Sequence, residues 1–510
     1  MTDYRKIAKE ALWVYLLTML IIPSGFLVRI LYAHNLSIID YGLFYGLFAF
    51  FGFFGFVRDW GLSSATYFYA NNYIIHGQKN KIKTLFFLNH GFKIILSALI
   101  GVGMYLFRGI ITSGIFKNEG NIGYIFDIFI IFWVITTICK SNYIFFNIFQ
   151  EQRISKFLEF LNWFLIIILS LIGFQLYEAY KVPVVAYLIA MVVVCVLSML
   201  IFSIKHNDLF KNDFYKGSDL GKEVLKYASA VVIGGFSTMV LAHIDLFLIQ
   251  LMIGAEKVAY YSSGFALASL LMMIVTPLTI IIQPLFSKIW HQNNKEELSK
   301  LISFILNNIL IFILPFSLFC FTFAVQIITL VYGSNFIESV IILKLFSFSF
   351  IIKVINSILF LVLWSIGKPK QSSKILIIAG VLNVTLDVLL ISVMGNVGAV
   401  IATSFCYLLM MVLCLREILK EIDIKFNISE ITKILLSSLA FLIIAFTIKG
   451  KIIIFDVGID KINFLLNGGI VFGIALIVYT ICLLLLGVIT KEKIEIVRSL
   501  FNLRFKKKNR

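Results

Sequence analysis

Fourteen apolar runs, most of them 20 residues or longer, follow one another between Ala11 and Ile489 with only short polar breaks. As a helix, about 20 residues rise roughly 30 Å, enough to cross the hydrocarbon core of a bilayer. Inside lipid every backbone polar group must be satisfied within the chain, which leaves helices as the spanning element for runs of this length. The sequence therefore predicts an all-α polytopic membrane protein with about 14 transmembrane helices. Its 60% hydrophobic content and mean hydropathy of +0.99 agree, because soluble domains hold about 45–50% apolar residues. The expected spans, to within a few residues, are 11–33, 41–57, 84–107, 123–149, 157–177, 183–204, 228–252, 259–286, 301–331, 340–366, 374–393, 397–415, 431–448 and 464–489.

A net charge of +17 would suit nucleic acid, but its distribution does not. With the N-terminus inside, the cytoplasmic segments and span edges carry 32 of the 44 Lys and Arg residues, and the outer loops carry seven. This is the positive-inside bias, and it places both termini in the cytoplasm of a cell membrane, with no nucleic-acid partner. The basic tail RFKKKNR is expected against anionic lipid head groups. The six cysteines all fall inside apolar runs without metal-ligand spacing and read as small buried hydrophobes. No cleaved signal peptide is expected, since the first run lacks a small-residue cleavage site.

The polar, Lys-rich segment Lys205 to Tyr227 separates six spans from the eight that follow. The chain then divides into a six-helix lobe (1–204), a cytoplasmic linker (205–227), a second six-helix lobe (228–417), and an extra helix pair with the basic tail (418–510). The lobes show internal likeness: VRILYAHNLSIIDYGLFYGLFAF from Val28 matches DLFLIQLMIGAEKVAYYSSGFALAS from Asp245 in its helix end, short outer loop and restart. Six is even, so the repeats share one orientation, an arrangement in which transporters bind substrate between halves. Prolines within the spans read first as ordinary packing residues of membrane helices; if any are hinges, Pro277 and Pro284 on the eighth run are the best candidates. Gly42, Gly46, Gly52 and Gly55 permit close helix approach on the second.

Charges inside the runs narrow the function. An ionised side chain facing hydrocarbon costs at least about 2.5–3.5 kcal/mol, so each must face a wet cavity or a partner. Arg29, Lys93, Lys140, Lys344 and Lys353 are the cations so placed. Lys344 is close enough to a span end to snorkel. Lys93 and Lys140 have a second reading as structural partners of Asp59 or Asp127. A cavity dominated by cations selects anionic ligands, phosphate above all. Asp245, in His243-Ile244-Asp245, and Asp387 are the acids deep in spans. They are either satisfied polar groups between helices or a proton or sodium site coupled to transport. No phosphate-cradling GxxxxGK[ST] loop, HExxH, GxSxG or paired-cysteine metal spacing is present, so neither an enzyme nor a cofactor is indicated.

Several segments resemble one family, the polysaccharide flippases (O-antigen and teichoic-acid type) of the multidrug/oligosaccharidyl-lipid/polysaccharide exporter superfamily. Arg29-Ile30-Leu31 followed by Asp40-Tyr41-Gly42 is similar to its R-x-L…[DE]-Y-G pattern, and Asp59-Trp60-Gly61-Leu62-Ser63 to its D-x-G-L-S segment. HIDLFLIQLMIGAEKVAYYSSGFALAS is similar to the stretch opening its second half. Gly367-Lys368 through VLNVTLDVLLISVMGNVGAVIATSF resembles its G-K…L-N-x-x-L-N…G-x-x-G-A-x-x-A-T tract, with Asp387 where Asn is usual.

The resemblance implies two six-helix lobes forming a V around a central cavity. It also implies translocation of a polyprenyl-(pyro)phosphate-linked oligosaccharide to the outer leaflet, with glycan polymerase or glycosyltransferases as neighbours in the pathway. Arg29, Lys140 and Lys353, with Lys93, are then expected to engage the pyrophosphate, and Asp245 and Asp387 to couple an ion, H+ or Na+. Arg29 and Asp245 match positions in the family's pattern; Lys93, Lys140 and Lys353 rest on the charge argument alone. A cation-coupled multidrug exporter is the alternative. A membrane glycan polymerase or glycosyltransferase would need a large outer loop or a carboxylate–histidine cluster, and a non-transporting scaffold would not need deep cations.

Overall fold

A computed structural model describes residues 4–217, 219–424, 426–452 and 461–490. Among them the regular elements are helices and no strand occurs. The first eleven helices are α1 (Tyr4–Asn35), α2 (Ile38–Asp59), α3 (Leu62–Ile75), α4 (Lys79–Leu106), α5 (Arg108–Gly114), α6 (Ile122–Ile148), α7 (Gln152–Leu176), α8 (Lys181–Lys205), α9 (Asn207–Phe210), α10 (Asp219–Met252) and α11 (Ala255–Ser269). Then follow α12 (Met272–His291), α13 (Lys295–Thr322), α14 (Ala324–Tyr332), α15 (Ser339–Ser365), α16 (Pro369–Met394), α17 (Asn396–Leu419), α18 (Ile428–Ile452) and α19 (Lys461–Leu485).

Among the described residues, 13 helices are long and apolar enough to cross a membrane. The eighth apolar run differs from expectation, being carried by two helices, α11 and α12, with the break at Leu270–Leu271. The backbone of α12 continues as helix through Pro277 and Pro284, so the interruption precedes the prolines. The basic tail lies outside the described residues. Large apolar side chains stand open on the surface, Val393 at 81% and Leu485 at 82% exposure. Such a surface suits lipid as solvent, where apolar exposure costs nothing.

Contacts group the chain into two units. The first is Met1–Ala266 with Val331–Ile342 and Ser373–Cys406; the second is Leu267–Leu330 with Leu343–Ser372 and Tyr407–Arg510. In the first unit α6 packs against α8 and α4, α7 against α1 and α8, and α2 and α3 against α10. In the second, α18 packs on α19 and on α13 around Phe441, Val471, Ala475 and Tyr479. The polar linker is fastened to the start of α4: Lys79 pairs with Asp208 at 2.5 Å, and Lys83 Nζ donates to the carbonyls of Phe210 and Asn212.

Glycines fix how α2 meets α10 and the start of α11. A Cβ on Gly42 would lie 1.8 Å from the Ala255 carbonyl oxygen, and one on Gly52 would press on the His243 ring. Where α2 ends, Trp60 and Gly61 both take left-handed backbone, at φ 42° and 73°, and the Ala228 carbonyl fills the space a Gly61 side chain would need. The D-W-G-L-S segment is thus a sharp corner that turns α2 into α3 beneath α10. The start of α2 is set by Ser37, whose hydroxyl accepts the Asp40 N–H at 3.1 Å, a capping bond worth about 1 kcal/mol. At the α10–α11 corner Glu119 supplies the equivalent acceptor to the Ala255 N–H at 2.9 Å, and Lys117 donates to the Met252 carbonyl.

Candidate functional site

The corner at the end of α2 gathers cations from α2, α4 and α6, all within the first unit. Lys93 is buried with its ammonium 2.6 Å from Asp59 and 2.8 Å from Ser63 Oγ, and Ser63 also donates to Asp59. Its partner is therefore Asp59, one of the two carboxylates the sequence offered; the other, Asp127, pairs with Arg108. Arg58 turns away from its neighbour Asp59. It is buried, donating to the Trp133 carbonyl at 2.6 Å and Thr137 Oγ1 at 3.0 Å, with its guanidinium over the Trp133 ring. Lys140 is exposed and makes no ion pair among the described residues. Arg58, Asp59, Glu159 and His243 all lie within its electrostatic range. Three cations and one closely paired acid leave this region positive.

Arg29 stands at the other end of α2. Its guanidinium covers the Tyr45 ring at 4.1 Å, and Tyr41, Tyr187 and Tyr332 complete its surroundings. No carboxylate reaches it among the described residues. Arg29 Nη1 and the hydroxyls of Tyr41, Tyr45 and Tyr332 are buried without hydrogen-bond partners. Each such group forgoes about 1–3 kcal/mol relative to a satisfied one.

Lys353 belongs to the second unit, on α15, with its ammonium over the rings of Phe350 and Tyr407 at 4.5 and 5.4 Å. The same unit holds an apolar groove of about 480 Å³ between α13, α15 and α18, lined by Leu310, Leu314, Phe348, Ile351, Leu435 and Leu442 among others.

The two acids expected to act on an ion come together. Asn383 and Asp387 are four residues apart on one face of α16. Gly395, left-handed at φ 57°, then reverses the chain into α17, and Gly398 fits against the Leu390 carbonyl with no room for a side chain. The hairpin sets Thr403 eight residues beyond the turn, as Asp387 is eight before it. Thr403 Oγ1 donates to Asp245 Oδ2 at 2.6 Å, Tyr261 donates to the same oxygen, and Asn383 reaches Thr403 at 3.4 Å. Asp387 faces Asp245. Asp245 Oδ1, Asn383 Oδ1 and both Asp387 oxygens have no donor. Two facing carboxyls so short of donors can share a proton between them, and their oxygens are of the kind a hard cation takes. His243 takes no part in it; it packs against Gly52.

Residues 7–290 match the family described as polysaccharide biosynthesis protein. The chain belongs to that family. Among curated relatives it is 26% identical over 422 residues to an uncharacterized membrane protein of Methanocaldococcus jannaschii, covering 80% of this chain and 83% of that one. It is 28% identical over 262 residues to the probable low-salt glycan biosynthesis flippase Agl15 of Haloferax volcanii, covering 51% and 53%. Among solved structures, the lipid II flippase MurJ in an inward closed conformation aligns with TM-score 0.72 at 16% identity, over 91% of this chain and 97% of its own. An inward-facing multidrug resistance MATE family transporter of the MOP superfamily aligns with TM-score 0.65 at 15% identity, over 80% and 98%. These likenesses show the fold: this polysaccharide biosynthesis family member has the helical architecture of the flippases and exporters of that superfamily.

Sequence reasoning did not single out Asn383, Thr403 or the tyrosines around Arg29. Tyr41 lies in the D-Y-G pattern and Thr403 in the closing A-T pair, so position was available as a signal. A neutral side chain in an apolar run, however, gives no energetic reason to be noticed.

Proposed function

We propose that this protein translocates a polyprenyl-(pyro)phosphate-linked oligosaccharide from the cytoplasmic to the outer leaflet by alternating access, for cell-surface polysaccharide or glycan assembly. The observation that carries this reading is Lys140, an exposed ammonium deep in an apolar span with no ion-pair partner among the described residues, in a chain of the polysaccharide biosynthesis family. Membrane-embedded charge without a counterion calls for an anionic ligand. Lys140 contacts the pyrophosphate first, Lys93 and Arg58 add positive potential, and Arg29 and Lys353 serve later in the path. The groove between α13, α15 and α18 accommodates apolar chain such as a polyprenyl tail, whose remainder stays in lipid. Asp245 and Asp387, with Asn383 and Thr403, bind the coupling ion, H+ or Na+. The positive-inside bias puts both termini in the cytoplasm. Glycosyltransferases supply the cargo on that side, and a glycan polymerase or transferase consumes it on the other.

The test is export of lipid-linked glycan in cells carrying Lys140→Ala or Lys140→Arg at equal expression. Export falls at least about tenfold in the alanine variant and is partly kept by arginine, which preserves the charge. Full export in Lys140→Ala would remove the phosphate role. The buried acid pair also suits a cation-coupled multidrug exporter. That second reading requires a deletion strain to become sensitive to cationic drugs while its glycans stay intact.

A further inference from the structure

Gln250 is a buried amide that the packing around it does not satisfy. It lies two residues before the end of α10, the end that the positive-inside bias turns outward, and it is 1% exposed. Neither its Nε2 nor its Oε1 has a hydrogen-bond partner among the described residues. Its Oε1 is pressed against α2, where a Cβ on Gly46 would lie 2.8 Å away, so α2 is the wall that shuts it in. A primary amide carries two donors and an acceptor with two lone pairs. Leaving them unpaired inside a membrane span is costly, because no water is at hand to take over. An unbranched apolar side chain would fill the same place without that cost. The seam of α2 with α10 therefore closes over a group that favours its opening.

The contacts that hold this seam shut lie just beyond Gln250, further outward. Glu119 accepts the Ala255 N–H at 2.9 Å, and Lys117 Nζ donates to the Met252 carbonyl at 3.2 Å. Ala255 is the first residue of α11, so its N–H has no partner within that helix and depends on Glu119. Both side chains come from the loop between α5 and α6, which rests on the start of α2 with Gly120 close to Asp40 and Leu43. Lys117, Asn118 and Gly120 in that loop take left-handed backbone, at φ 52°, 52° and 51°. Non-glycine residues keep such a conformation only while the contacts around them hold. Two bonds from one constrained loop, with the close fit of Gly42 on Ala255, thus oppose an unpaired amide a few residues away.

We propose that the outer end of the α2–α10 seam is a gate under internal opposition, clamped by Glu119 and Lys117 and loaded toward opening by Gln250. When α2 and α10 part, water reaches both polar atoms of the amide, and the open population rises by the factor that this hydration supplies. The part this gate plays in transport rests on the alternating-access reading; the opposition itself does not. In that reading Gln250 keeps the outward-open state within reach, while the Glu119–Lys117 clamp keeps it in the minority.

The experiment uses the full-length protein in detergent and reads hydrogen–deuterium exchange over residues 38–50 and 246–260 together with the thermal midpoint. Gln250→Met keeps the length of the side chain and removes its polar atoms. It should slow exchange in both segments by about tenfold or more and raise the midpoint. Glu119→Ala removes the acceptor at Ala255 and should do the reverse, with the double variant in between. Exchange in Gln250→Met as fast as in wild type, or a lowered midpoint, would overturn the loading. A change confined to one segment would do the same, because parting the seam exposes both. If Gln250→Met does not fold, Gln250→Leu takes its place. Unchanged exchange in Glu119→Ala would overturn the clamp. Translocation of a lipid-linked glycan in liposomes separates this inference from the flippase reading. Slower translocation by Gln250→Met joins the gate to transport, and equal translocation despite slowed hydrogen exchange would overturn that link. No translocation by wild type would reject the flippase reading and leave hydrogen exchange to decide on the seam.

Discussion

Lys93 is 4% exposed and Asp59 36%, so the two sides of this ion pair are not equivalent. Removing Asp59 strands a charge inside the helix bundle, whereas removing Lys93 leaves a carboxylate that water can reach. Asp59→Ala should lower the thermal denaturation midpoint in detergent, at a cost of about 2–4 kcal/mol, and Lys93→Met should cost clearly less because the remaining charge is screened. The double variant should recover most of the loss; a double variant no better than Asp59→Ala would show that the pair is not what holds Lys93. At the Asp245–Asp387 pair, Asp387→Asn keeps the shape of the site and removes one negative charge. Ligand linkage raises stability by RT ln(1 + [L]/Kd). Sodium chloride should therefore raise the wild-type midpoint above that in N-methylglucamine chloride, and this increment should shrink in Asp387→Asn. An increment equal in both proteins would exclude Asp387 from a sodium site, and no increment in wild type would leave the proton as the coupling ion. The cations themselves were legible in the sequence, because charge in an apolar run is conspicuous. Their partners were not, since an ion pair 30 or more residues apart depends on how helices pack.

The seam of α2 with α10 and the start of α11 shows how element packing is written into small residues. Gly42 meets backbone, the Ala255 carbonyl, at 1.8 Å from an added Cβ; Gly46 meets the end of the Gln250 side chain at 2.8 Å; Gly55 meets only Met239 at 3.5 Å. Backbone cannot yield without moving a helix, while a side-chain end can rotate. Alanine at these positions should therefore destabilise in the order Gly42, Gly46, Gly55, with the first costing about 1–3 kcal/mol as overpacking and the last near zero. Thermal midpoints of the three purified variants check the order, and a Gly55 variant as damaged as the Gly42 variant would contradict it. The second apolar run announced this glycine spacing, but not which helix it receives. The eighth run likewise gave its length but not its break at Leu270–Leu271, since no proline or glycine marks that turn.

At the scale of the whole molecule, hydropathy alone specified an all-helical membrane protein, because lipid leaves so few ways to satisfy a backbone. The hairpin around Gly395 is the one place where motif, fold and chemistry were readable together. Its glycines set a tight turn, and that turn brings Asp387 and Thr403 to Asp245. By contrast, the tyrosine surroundings of Arg29 draw on α2, α8 and α14, segments nearly 300 residues apart, and no local pattern could have joined them. The central claim, movement of a phosphate-linked glycan across the bilayer, is tested most directly by reconstitution. Purified protein is placed in liposomes containing a fluorescent polyprenyl-pyrophosphate oligosaccharide, and the fraction reached by an added membrane-impermeant quencher is followed over time. The account predicts that the fluorescent lipid exchanges between leaflets with wild-type protein and that this exchange is lost, or slowed at least about tenfold, with Lys140→Ala. No exchange above protein-free liposomes, or equal exchange with Lys140→Ala, would contradict it.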